Sequence, residues 1–296
     1  MALCAPVAVA AALLAGCAAP APAPLPADPL TAALARLDGS VRGYVEFVDL
    51  RVLTSGAGEW SDVRGSGQLA SYADRLAERL RVDVRRADWT VTASAGGPSI
   101  TLVAGGQDPD AIRTAATRAG WAGSDVLRRD LAMDEPVTVQ AGALRPSGHD
   151  VVVGGSGARV ELVDGPGPAL AADPVITALR DCLGTGVAVA GIHRRDGEPA
   201  FAAGIRPAPD APTGTVSTVC AAHPTAEAAA GRAAAFRAET ASGAPAPWGG
   251  ALVDPQVEQL GGAANVVRLT GRNAAERPPV FLVAQMARRD LPGGLG

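Results

Sequence analysis

Residues 88–106 read DWTVTASAGGPSITLVAGG. Two runs rich in Thr, Val and Ile flank Gly96-Gly97-Pro98, so the segment reads as two strands around a tight turn. Helical patterns lie on both sides. In GSGQLASYADRLAERLRV (65–82), Leu69, Tyr72, Ala73, Leu76 and Leu80 recur at three- and four-residue spacing. In DPDAIRTAATRAGW (108–121), Asp108 suits the N-cap, Pro109 the first helical position and Gly120 the stop. GYVEFVDL (43–50) and PVTVQAGAL (136–144) read as outer strands, giving the order β-α-β-β-α-β.

The same order recurs loosely downstream. DVVVGG (150–155) reads as a strand, and DPVITALRDCLG (173–184) repeats the Asp-Pro start and glycine stop. GVAVAGIH (186–193) and PAFAAGIRP (199–207) read as a strand pair, with TVSTVCAA (215–222) as a further strand. HPTAEAAAGRAAAFRAET (223–240) reads as an Ala-rich helix, with His223 beside Pro224 in a capping place. NVVRLTGR (265–272) and VFLVAQMARR (280–289) read as closing strands. The expected fold is α+β: two consecutive split-βαβ, ferredoxin-like units, mainly antiparallel, with helices on one face. The first spans 28–145 and the second 146–296.

The bulk composition bounds function. Apolar residues make up 48% of 296, enough for a core, but aromatics are 3%, so Val, Leu, Ile and Ala must build it. The net charge of −4 argues against nucleic acid as a partner, which calls for a basic surface. All 26 basic residues are arginine, which with the abundance of Ala, Gly and Pro reads as GC-rich coding bias.

No charged residue precedes Asp28, and Ala5 to Ala15 has the length of a signal-peptide apolar region, short of the ~20 residues that span a bilayer. It ends in Leu14-Ala15-Gly16-Cys17. That tetrad resembles the lipobox of bacterial lipoproteins. The chain as a whole is loosely similar to uncharacterised lipoproteins of high-GC Gram-positive bacteria. The resemblance implies removal of residues 1–16, diacylglycerol on Cys17 and a membrane partner reached through that anchor. Residues 17–27, rich in Pro and Ala, then read as an extended tether on the extracytoplasmic face.

With Cys4 lost and Cys17 lipidated, Cys182 and Cys220 remain, a pair that an oxidising compartment would join. In the expected fold they sit where the second unit's helices share an end. His223 follows Cys220 by three residues, but scattered ligands make a weak zinc signal, and no metal or cofactor is expected.

No nucleophile elbow, phosphate loop, dinucleotide fingerprint or zinc helix occurs. His149 beside Asp150 reads as a turn entering a strand; His193 and His223 lie in other segments. Strand alternation puts Glu46 and Asp49 on opposite faces, Glu46 with Tyr44 and Val48, so they are poor acid/base partners. Glu46 reads as a paired or edge-exposed group. The pairs Arg85-Arg86, Arg128-Arg129, Arg194-Arg195 and Arg288-Arg289 read as solvated element ends with local ion pairs. Trp248, in GAPAPWGG (243–250), is the candidate exposed contact residue. The leading expectation is a non-enzymatic binding or scaffolding lipoprotein of the cell envelope. The alternatives are a carrier with an apolar cavity and a hydrolase whose site is assembled from distant residues.

Overall fold

The computed structural model describes residues 28–55, 67–94, 96–208, 214–245, 247–277, 281–288 and 290–292. The expected leader (1–16), Cys17 and the tether lie outside them. The strands are β1 (Gly43–Asp49), β2 (Trp89–Ala93), β3 (Ile100–Ala104), β4 (Leu127–Arg128), β5 (Ala143–Ser147) and β6 (Asp150–Gly154). They continue with β7 (Val189–Arg194), β8 (Ala200–Pro207), β9 (Thr215–Ala222), β10 (Leu252–Gly261) and β11 (Val266–Asn273). The α-helices are α1 (Pro29–Ala35), α2 (Leu50–Ser55), α3 (Ala73–Leu80), α4 (Pro109–Arg118), α5 (Thr138–Ala141), α6 (Pro174–Leu183), α7 (Ala226–Thr240) and α8 (Phe281–Ala287).

These strands form a single sheet, ordered β10-β11-β9-β8-β7-β1-β2-β3-β6-β5-β4, and every pairing is antiparallel. Two ferredoxin-like units are therefore ruled out. In a split βαβ unit the first strand is carried across to a parallel position. Here β1 instead lies directly against β2 and, on its other side, against β7. The expected boundary at 145/146 falls inside β5.

A looser repeat survives in another form. From the centre outward one half runs β1, β2, β3, then β6 and β5; the other runs β7, β8, β9, then β11 and β10. Each half has a helix, three strands paired in chain order, a helix, and a hairpin that docks on the third strand, although in the first half α2 and α3 lie between β1 and β2. The halves meet at β1–β7, with Val45 opposite Ile192 and Phe47 opposite Ala190.

Alternation along the strands fills both faces. Val45, Phe47, Leu102, Ile192, Ala202 and Cys220 face one side, under α1 and α6. On the other, Phe201, Ile205, Val219 and Leu269 lie under α7 and α8. Further along that second face, Val103, Leu144, Val151 and Val153 lie under α3 and α4. The result is a helix–sheet–helix sandwich with helices on both faces, not one.

The helix ends follow their local chemistry. The Asp108 carboxylate accepts from the amides of Asp110 and Ala111 at the start of α4. Asp173 does the same from Val175 and Ile176 at α6, and Gly184 stops that helix at φ +79°. At α7 the cap is Thr225, whose hydroxyl accepts from Ala228 N, and not His223.

Three expected elements differ. PVTVQAGAL splits into α5 and the start of β5. The terminal apolar run forms helix α8, because a short apolar run suits a helix pressed on a sheet as well as a strand. β10 has no counterpart in the expected order: Pro255, Asp254, Gln256, Glu258 and Gln259 hide its period, and seven of its ten residues are exposed, as suits an edge strand.

Candidate functional site

Cys182 and Cys220 are bonded, with Cα atoms 6.1 Å apart. The bond does not staple two helices at a shared end. Cys220 lies within β9 and faces α6, whereas its neighbours Val219 and Ala221 face α7 on the opposite side. It fixes the last turn of α6 to the sheet.

Trp248 is not an exposed contact residue. It is 3% exposed, its ring lies 5.3 Å from that of Phe281, and it packs with Leu252 and Leu282. The glycines around it shape a turn that folds the indole inward. The histidines stay apart. His149 is exposed in the β5–β6 turn. Asp150 turns to Arg36 Nη1 and Gly105 N, both at 2.8 Å, so it does not serve His149. The His223 ring packs edge-on to Phe201, and burial with the charge of Arg232 lowers its pKa. Of the arginine pairs, Arg85 meets Asp74 and Arg195 stands by Glu198 near solvent, Arg194 is mostly buried against Asp173, Arg129 lies over Trp121, and Arg289 lies outside the described residues.

Asp49 caps α2, accepting from the amides of Arg51 and Val52. Glu46 does face the other side, yet it is not at an edge, for β1 is the sixth strand of eleven. It stands in a polar strip between two apolar clusters on that face. Tyr44 is two residues away, and His193 is the strand neighbour of Tyr44. Thr92, opposite Glu46, shares a hydrogen bond of 2.9 Å with Thr101. Burial raises the Glu46 carboxyl above its ordinary range, partly offset by the Tyr44 hydroxyl. Burial and the Glu46 charge push the Tyr44 hydroxyl well up.

A cleft of about 460 Å3 sits at one end of the sheet. Its floor is apolar: Val175 from the first turn of α6, Ala200 from β8, Ala222 from β9, and Ala264 from the β10–β11 turn. One wall is the β7–β8 hairpin, residues 194–198. Arg194 reaches through that wall to Asp173, with Nη2 to Oδ2 at 2.5 Å and both side chains under 20% exposed. Asp173 thus caps α6 and holds Arg194 at once. Arg42 Nε holds Asp196 at 2.9 Å, while Arg195 and Glu198 stand 3.9 Å apart. This is a rimmed open cleft, not an enclosed apolar cavity. The sequence offered one sign of it, the Arg194-Arg195 pair; the floor comes from four separate segments.

No family model matches the chain, and no curated protein matches it. A solved structure of TP0453, in its crystal form IV, is similar over 85% of this chain and 96% of its own, at 11% identity and a TM-score of 0.41. A likeness of that size carries no argument about function.

Proposed function

We propose that the protein is a lipid-anchored, extracytoplasmic protein of the cell envelope that binds a partner or ligand without transforming it. The observation that carries this reading is the Cys182–Cys220 bond. Disulfides persist in oxidising compartments outside the cytoplasm. The bond also uses both cysteines of the folded body, leaving Cys17, in Leu14-Ala15-Gly16-Cys17, for the lipid. Dual or multiple acylation there would give durable attachment.

The way the body is entered supports a binding role. Asp28 accepts a hydrogen bond from Gly186 N, before the start of β7. The cleft lies beyond the other end of β7, at Arg194. A chain tethered ahead of Asp28 therefore carries this cleft on the end remote from its attachment.

The test is metabolic labelling with a palmitate analogue, in parallel with Cys17→Ala. Label on the parent and none on the variant is the expected result. Label that persists on Cys17→Ala would overturn the anchor.

A further inference from the structure

The hydrogen-bonding state of the cleft points to what it takes up. Asp173 and Asp196 are each engaged by an arginine, at 2.5 and 2.9 Å. Arg195, half exposed, has Glu198 as its ion-pair neighbour at 3.9 Å, beyond a direct hydrogen bond. Arg194 spends Nη2 on Asp173, and its Nη1 is buried with no acceptor among the described residues. A buried donor left unmade is costly, and a guanidinium bonds most strongly to an anionic oxygen. On this wall the carboxylates of Asp196 and Glu198 stand against Arg42 and Arg195, and Arg194 Nη1 is a donor with no acceptor among the described residues. The floor of Val175, Ala200, Ala222 and Ala264 supplies apolar surface and no charge. Its volume of about 460 Å3 suits a small organic molecule.

We propose that the cleft binds a small apolar carboxylate. The Arg195 guanidinium takes the carboxylate as Glu198 swings away from it, Arg194, whose Nη1 is buried, backs it from within the wall, and the apolar body lies on the small-residue floor. The proposal deepens the reading of the chain as an envelope binding protein and rests on it. Two sources share this chemistry: a fatty acid, and the C-terminus of an apolar peptide.

The experiment uses the full chain with Cys17→Ala, so that no acyl chain of its own competes. Decanoate and N-acetyl-leucyl-leucine are titrated by calorimetry and by amide chemical shifts, alongside their methyl esters. Saturable binding of either acid is expected, with shifts at residues 194–198 and 263–264. Binding of decanoate alone assigns the lipid source, and of the peptide alone the peptide source. Arg195→Gln, at an exposed position, should weaken binding roughly ten- to a hundred-fold. Ala263→Trp, at the exposed mouth, should block it, and both variants are checked for unchanged thermal unfolding. The proposal is overturned if neither acid saturates below about 1 mM, if the esters bind as well as the acids, or if both variants bind like the parent. Palmitate labelling reads residue 17, so failure of the anchor and failure of the cleft are distinguished.

Discussion

Breaking the Cys182–Cys220 bond perturbs one well-defined quantity, the entropy of the unfolded chain. The cross-link closes a loop of 38 residues. Loop-closure entropy for that length corresponds to about 4 kcal/mol at 25 °C. For a body of this size that amounts to a fall of roughly 8 °C in Tm. Both sulfurs are buried between α6 and β9, so a Cys182→Ala/Cys220→Ala double variant also loses packing, adding about 1 kcal/mol. The assay is urea unfolding by circular dichroism of three species: oxidised parent, reduced parent and the double variant. The reduced parent isolates the cross-link; the double variant adds the packing. The m-value should rise in both uncrosslinked species, because their unfolded chains expose more surface. The reasoning fails if the oxidised and reduced parents differ by less than about 1 kcal/mol, or if the unfolded, unreduced protein shows free thiols at Cys182 and Cys220.

Other expectations follow from single residues. Trp248→Ala should cost about 3–5 kcal/mol, as for a large aromatic removed from a core. Trp248→Phe should cost far less, since its indole Nε1 has no acceptor among the described residues; equal losses in thermal melts would contradict the packing. Asp173→Ala removes a cap and leaves Arg194 uncompensated, for a loss of roughly 2–4 kcal/mol. Asp173→Asn keeps the Oδ1 cap but turns an amide donor toward Arg194 Nη2, so its loss in denaturant melts reports mainly the broken Arg194 pair. Glu46 has a folded pKa above its ordinary 4.5, so the folded chain holds that proton more tightly than the unfolded one. Its contribution is favourable below the ordinary value and is lost as pH rises through the raised one. Glu46→Gln should therefore flatten the stability profile above pH ~4.5 and melt no lower than the parent at pH 7; a lower Tm at pH 7 would refute this.

Short-range chemistry was legible in the sequence. Asp108-Pro109 and Asp173-Pro174 start helices, Gly184 ends one, and the Gly-Gly-Pro stretch links β2 to β3, because each depends on residues within one turn of chain. Glu46 and Asp49 fall on opposite faces for the same reason, since alternation is a property of one strand. Trp248 misled: glycine and proline neighbours suggest exposure, but whether a turn folds toward solvent or toward Phe281 depends on residues 33 positions away. The cleft was hidden likewise, its floor being drawn from α6, β8, β9 and the β10–β11 turn.

By itself the sequence determined the aspartate caps of α4 and α6, the inner strands and the pairing of Cys182 with Cys220. Tertiary structure decided which strand lies beside which. β1 is flanked by β2 and β7, and that one choice merges two expected units into a single sheet. The physical reason is that an apolar strand buried on both faces satisfies its backbone equally well with any apolar neighbour. Strand partnership is therefore fixed only when the helices on both faces are packed, and the same packing closes one end of the sheet around the cleft.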